Sequence, residues 1–326
     1  MTINILCATD NNFAPFCGIM LTSLFRNNRN NQICVYIIVD ETFSQKEKQR
    51  FLSLGTKEGQ EINFILTDNK KMEQLPPISD SIAFRITQTS YYRLLVGSLL
   101  PPHIHKILYL DCDIIVNDDL APLWQTNIEG KALGCVKDCW IHYQSEMIDM
   151  LGYNPKDGYF NAGVLLINID YWKQHNVETR LLAYAQANYD KLQYNDQDIL
   201  NGELHSEVVW LPERYNFQVN YLRKDHWATY PPAFQQTILQ EKQHVAIIHY
   251  IGACKPWDFQ YPGMPFDKLW HTYRKKSPWR KIHIAKPRIR YIKKLVKSLL
   301  FPSKYREGFQ TFLAYYKPDW DQLYIK

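Results

Sequence analysis

The sequence predicts an α/β protein built on a mainly parallel, Rossmann-like sheet flanked by helices, and three observations carry that reading. Apolar runs with strand character alternate with helical runs from the first residues onward, the order that builds parallel sheets. Two of those strands end in acidic, turn-rich residues, at Asp10 and at Asp111, where ligands sit in sheets of this class. Across 326 residues the composition is 46% apolar and 22% charged, which is ordinary for a globular chain with a large core.

The elements follow in order. Ile3–Ala8 reads as a first strand closing on Thr9-Asp10-Asn11-Asn12, a patch rich in turn formers. Phe13–Asn27 reads as a helix and Ile33–Val39 as a second strand. Ser44–Leu54 reads as a helix whose start has the form of a capping box, Ser44 with Glu47 three residues on. Ile62–Leu66 is a third strand, and Thr89–Leu100 a helix containing Arg93. After the strand leading to Asp111 come Leu120–Trp124, a strand at Ala132–Val136 and a strand at Val164–Ile169 preceded by Tyr159-Phe160-Asn161-Ala162-Gly163. A helix near Val177–Tyr189 leads to Asn195-Asp196-Gln197-Asp198, and short strands are expected at Val208–Leu211 and Val245–Tyr250. The stretch from Tyr215 to Gln243 is less distinctive.

The chain is organised around Lys106–Asp119. An apolar strand runs into Asp111-Cys112-Asp113, and side chains two apart on a strand share a face while Cys112 takes the other. Two carboxylates so close repel unless a cation lies between them, and a divalent ion with oxygen ligands leaves positions open for phosphate oxygens. A solvated acidic turn is the competing reading. The apolar strand before the pair and Ile114-Ile115-Val116 after it argue against a wholly exposed turn.

Seven cysteines without Cys-x-x-Cys spacing exclude a zinc ribbon and a disulfide framework. The first ten residues carry no basic leader and reach Asp10 early, so a cytoplasmic protein is expected. Charge is split along the chain: residues 1–265 carry 22 Lys/Arg against 29 Asp/Glu, whereas residues 266–326 carry 16 against 4. That division separates an expected catalytic domain, 1–265, from a basic helical extension, 266–326, with an anionic partner.

Five motifs in order, Ala8-Thr9-Asp10-Asn11-Asn12, Tyr109-Leu110-Asp111-Cys112-Asp113, Phe160-Asn161-Ala162-Gly163-Val164, Asn195-Asp196-Gln197-Asp198 and His249-Tyr250-Ile251-Gly252-Ala253-Cys254-Lys255-Pro256-Trp257, carry a resemblance. Over Ile3 to about Trp257 the chain resembles family 8 glycosyltransferases, retaining nucleotide-sugar enzymes of the GT-A fold. It is most similar to bacterial lipopolysaccharide and capsule galactosyl- and glucosyltransferases. The resemblance implies a UDP-hexose donor and a saccharide or lipid-linked glycan acceptor, and it makes Asp111, Asp113 and His249 metal ligands. Two carboxylates and an imidazole suit Mn²⁺ better than Mg²⁺, the alternative, because Mg²⁺ prefers an all-oxygen shell. Ala8, Thr9, Asp10 and Asn12 match positions that hold the uridine and its neighbours, and the resemblance counts Asp111, Cys112 and Asp113 with them. Gly252 admits close backbone approach, and Lys255 offers a point charge to the diphosphate. Arg93, Asp138, Asn161, Asp196 and Gln197 match the donor-sugar shell. Retention leaves two routes open, attack from the face the diphosphate leaves or a glycosyl-enzyme intermediate at Gln197 or Asp196. A sugar-nucleotide hydrolase and a catalytically silent sugar-nucleotide binder are the rival classes.

In the extension, Ile292, Leu295, Val296, Leu299 and Leu300 recur at helical spacing, with Lys293, Lys294 and Lys297 off that face. Stripe, charge and interleaved aromatics together predict peripheral docking on the anionic inner face of the cell membrane. Nucleic acid is not expected, since no recognised binding module accompanies the charge.

Overall fold

Runs rich in Ile, Val and aromatic residues form strands because branched and flat side chains pack well on a pleated surface. The chain opens with three of them, β1 (Thr2–Ala8), β2 (Gln32–Val39) and β3 (Glu61–Leu66). Seven of the eight β2 positions are buried, so helices cover both of its faces, as parallel sheets require. Between these strands lie α1 (Ala14–Asn27) and α2 (Gln45–Glu58). The computed structural model describes residues 1–67, 75, 88–140, 145–252, 255–257 and 264–282.

Four further strands complete the main sheet: β4 (Lys106–Leu110), β6 (Leu133–Lys137), β7 (Phe160–Asn168) and β8 (Val208–Trp210). The order is β3-β2-β1-β4-β7-β6-β8. Every pairing is parallel except those of β7, which runs antiparallel to both β4 and β6. The chain winds outward from β1 to β3 and then returns to β4 on the other side of β1. The crevice at the carboxyl ends of β1 and β4 is therefore a topological switch point, the ligand position of such sheets. Antiparallel β7 begins at the edge where β4 and β6 end, which brings Asn161 to the side of Asp111 and Asp138. Phe160–Gly163 thus forms the opening of this strand and does not precede it, as the sequence had led us to expect.

A second, three-stranded sheet of order β5-β10-β9 comprises β5 (Ile114–Val116), β9 (Phe217–Gln218) and β10 (Ile247–His249). Asp111-Cys112-Asp113 is the turn where the chain leaves the first sheet for the second, and not the end of one continuous strand. Ser44 caps α2 by accepting from the Glu47 backbone N–H at 3.3 Å. The Glu47 carboxylate does not close the box; it accepts from Arg50 and from the indole N–H of Trp279. Gln88–Leu95 is a 3₁₀ stretch followed by one α-turn, Val96–Leu99. Leu120–Trp124 contains another single turn of helix, Ala121–Trp124.

The longer helices that follow are α3 (Val177–Ala187), α4 (Asp196–Leu204), α5 (Pro232–Glu241) and α6 (Asp267–Lys276). Residues 266–282, the described part of the basic extension, are packed on the body. Trp270 lies 5.3 Å from Trp257, which stacks on Phe16 of α1 at 4.2 Å. Trp279 is buried against Phe51. The apolar stripe from Ile292 to Leu300 lies outside the described residues. Among the described residues no helix is long and apolar enough to cross a membrane.

Candidate active site

Strand register builds the acidic cluster. The Asp111 N–H donates to the Gly163 carbonyl at 2.9 Å, and the Tyr250 N–H donates to the Asp113 carbonyl at 3.0 Å. His249 pairs with Ile114 across β10 and β5, which puts its ring beside the carboxylate of Asp113. Its Nε2 lies 3.2 Å from Asp113 Oδ1 and 3.9 Å from Asp111 Oδ2. Asp111, Asp113 and His249 offer three ligand atoms within 4.8 Å of one another. Two carboxylate oxygens and one imidazole nitrogen fit a borderline divalent ion with room for further oxygen ligands. Cys112 turns away from the cluster, placed there by the turn and not by strand alternation: its thiol is buried and donates to the Ala8 carbonyl at 3.2 Å.

Two cations flank the cluster. Arg93 donates to Asp111 Oδ1 at 2.7 Å and to the Ala162 carbonyl at 2.6 Å, and it pairs with Asp196 Oδ2 at 3.1 Å. Tyr109 lies under its guanidinium and donates its hydroxyl to Asp111 Oδ1 at 3.0 Å. Lys255 donates to Asp113 Oδ2 at 2.5 Å and to the Tyr250 carbonyl at 2.6 Å. Burial opposes ionisation of Asp113, but Lys255 and His249 outweigh it and hold the carboxyl well below its usual range. Asp196 goes the other way: burial pushes it up to about 6 against the pull of Arg93. Gly252 has φ +73°, a conformation costly for any other residue, so the turn after His249-Tyr250 requires a glycine.

Amides bring the remaining predicted residues together. Gln197 Nε2 and Asn161 Nδ2 both donate to Asp138 Oδ2, at 3.3 and 3.2 Å. Gln197 Oε1 accepts from the Ala162 N–H at 3.0 Å and from Asn161 Nδ2 at 3.2 Å. Asn195, which places Asp196 and Gln197 at the head of α4, has φ +48°, backbone strain of the kind found at functional sites.

At the β1 end the Thr9 N–H donates to the Ile38 carbonyl at 3.1 Å, and Asp10 Oδ1 accepts from the Phe13 N–H at 2.7 Å. Asn11 bridges to the Thr42 carbonyl and the Ser44 N–H, so turn chemistry is satisfied while Asn12 stays exposed.

Three contributors escaped sequence reasoning. Tyr109 looked like an ordinary strand residue. Gly163 was read only as part of a motif, yet it is the floor under His249. Asn216 accepts from His249 Nδ1 at 2.9 Å and comes from the stretch that had seemed indistinct. It stands between Tyr215 and Phe217 with Gln218 and Asn220 close behind, so nothing in the sequence singled it out.

The model of glycosyl transferase family 8 matches residues 4–260. The lipopolysaccharide glucosyltransferase WaaO of Escherichia coli K12 is 27% identical over 97% of this chain and 91% of its own length. A lipopolysaccharide 1,3-galactosyltransferase of Salmonella typhimurium LT2 is 24% identical, covering 96% of this chain and 90% of its own. Among solved structures, the galactosyltransferase LgtC, in complex with donor and acceptor sugar analogs, superposes with a TM-score of 0.74 at 26% identity. It covers 88% of this chain and 98% of that one.

Proposed function

The chain belongs to glycosyl transferase family 8, and on that premise we propose that it moves galactose or glucose from a UDP-sugar to a saccharide acceptor of a cell-surface glycan. The names of the relatives support lipopolysaccharide as the acceptor class. The observation that carries the reading is the meeting of Asp111, Asp113 and His249 with Arg93 and Lys255 at the switch point of the sheet. Asp111, Asp113 and His249 would hold Mn²⁺, which when bound neutralises the charge that develops on the leaving diphosphate.

Each of the chain's own groups then has a task. Ala8, Thr9, Asp10 and Asn12 line the end of β1 for the uridine. Lys255 offers an ammonium to the diphosphate, and Arg93, Asp138, Asn161, Asp196 and Gln197 surround the hexose. Retention follows same-face attack. The acceptor oxygen bonds to the anomeric carbon as the carbon–oxygen bond to the β-phosphate breaks, its electron pair stays on the phosphate, and the acceptor proton passes to a phosphate oxygen. The hydrogen bonds of Gln197 support this route over a covalent one. Its Oε1 already accepts from two donors, and an amide oxygen so engaged is a poor nucleophile. Asp196 is likewise committed to Arg93.

We further propose that the extension holds the enzyme on an anionic membrane, at the cytoplasmic face. Lys268, Lys275, Lys276, Arg280 and Lys281 are exposed on and just after α6, and each basic residue near an anionic leaflet contributes about 1 kcal/mol.

Incubation with a panel of UDP-sugars and a truncated lipopolysaccharide core tests the reaction. UDP release that needs both one UDP-hexose and the acceptor supports transfer. Equal release without acceptor identifies a hydrolase, and sugar-nucleotide binding without release identifies a silent binder.

A further inference from the structure

The polarity of the amide network can be worked out from its ends. The Gly163 N–H can only donate, and it meets Asn161 Oδ1 at 3.0 Å, so the other side of that amide, Nδ2, faces Asp138 and Gln197. Asn161 Oδ1 also meets the side chain of Asn216 at 2.9 Å, which must therefore present its Nδ2 there. The Oδ1 of Asn216 is left facing His249 Nδ1 at 2.9 Å, and that nitrogen must carry a proton. With a proton fixed on Nδ1, Nε2, the atom facing Asp111 and Asp113, is the nitrogen left to offer a lone pair to a metal.

We propose that Asn216 is a positioning residue with two separable roles: it fixes His249 in the tautomer that can ligate a metal, and it locks the orientation of the Asn161–Gln197 amide pair. Asn216 is fully buried in the 3₁₀ turn before β9, within reach of both. Its Oδ1 serves the metal end. Its Nδ2, through Asn161, serves Asp138 and Gln197 at the sugar end. The proposal rests on the metal and donor-sugar reading above and assigns a residue outside the ligand and sugar-shell sets.

The two roles predict a dissociation between variants. In Asn216→Ala both bonds are lost, and loss of such an outer partner weakens metal binding about 10–100-fold. In Asn216→Asp a carboxylate oxygen still accepts from His249 Nδ1, but an oxygen now faces Asn161 Oδ1, where a donor is required. Metal affinity should then stay far closer to wild type than in Asn216→Ala, because the outer partner of His249 is kept, while preference for UDP-hexose over UDP is lost. The test is a Mn²⁺ titration of full-length wild type, Asn216→Ala and Asn216→Asp, with free Mn²⁺ read by electron paramagnetic resonance. Calorimetric titrations of UDP, UDP-galactose and UDP-glucose follow at saturating Mn²⁺, with thermal melts as a check on folding. The dissociation supports the assignment. Wild-type Mn²⁺ affinity in Asn216→Ala, or equal loss of affinity in both variants, overturns it. A wild-type chain that binds no Mn²⁺ overturns the metal reading instead, and the positioning role falls with it.

Discussion

A methyl group on Cα of Gly163 would lie 2.2 Å from Cε1 of His249 and 2.8 Å from Oδ2 of Asp111. The bare backbone of β7 is the surface on which His249 and Asp111 rest, and the glycine in that motif is a requirement of contact. Gly163→Ala should cost about 1–3 kcal/mol by overpacking, and His249 must move to relieve it. The expected outcome is a folded protein whose Mn²⁺ affinity falls by at least about tenfold. Unchanged Mn²⁺ affinity beside a normal melt would show that His249 is not a ligand.

Lys255 holds Asp113 in the position of a counter-ion. A metal and this ammonium draw on the same carboxylate, and the diphosphate would draw the ammonium away. Lys255→Met should weaken UDP binding about tenfold or more, in line with loss of a charge-assisted contact. Mn²⁺ affinity without nucleotide should be kept or rise, because a competitor for Asp113 is gone. Calorimetric titration of UDP and of Mn²⁺ reads both, and unchanged UDP affinity would reduce Lys255 to a structural partner of Asp113.

Much of this was legible in the sequence, for physical reasons that differ by element. β1, β2 and β4 announce themselves because buried parallel strands are continuous apolar runs, and from their order the shared edge of Asp10 and Asp111 follows. The reversed direction of β7 was not legible. An apolar run looks the same in either direction, so Asn161 was found by resemblance and placed only by the fold. The small sheet was legible only in part: β10 lies inside the strand expected at Val245–Tyr250, whereas β9, two residues long, is too short for periodicity to register. Composition put a boundary near residue 265, since charge density changes there. Packing continues past it, since Trp270 and Trp279 are core residues inside a basic segment.

Asp196 makes stability depend on pH. Its carboxyl is raised by burial to about 6, so the folded chain holds a proton that the unfolded chain has lost above about pH 4. That contribution is complete below the unfolded value and is lost as pH rises through about 6. Asp113, held low, acts oppositely and below this window. Between pH 4 and 7 wild type should lose up to about 3 kcal/mol relative to Asp196→Asn. Urea unfolding of both across that range checks it, and parallel pH profiles would contradict the shift.

Trp279 fastens the start of the extension. It is buried, packs on Phe51 at 4.7 Å and donates to Glu47 at 2.7 Å. Trp279→Ala should destabilise by about 3–5 kcal/mol, so a chain ending at residue 265 should be poorly folded. A chain ending at residue 282 keeps Lys268, Lys275, Lys276, Arg280 and Lys281 but loses the basic residues that follow them and the stripe from Ile292 to Leu300. It should therefore co-sediment with anionic vesicles more weakly than the full protein. Full-length protein should bind those vesicles at low salt and leave them at high salt. Equal vesicle binding by both chains would remove residues 283–326 from the docking role.

We propose that Asp111, Asp113 and His249 hold the metal on which hexose transfer depends. Sugar transfer from the active UDP-hexose to acceptor is measured in excess chelator, after Mn²⁺ or Mg²⁺ is restored, and with Asp113→Ala at saturating Mn²⁺. Transfer should be absent in chelator, return with Mn²⁺ and return less with Mg²⁺. Asp113→Ala should lose at least about 100-fold, since a charge-stabilising term of this kind is worth several kcal/mol. Full transfer in excess chelator, or by Asp113→Ala, would show that the reaction does not depend on this metal site.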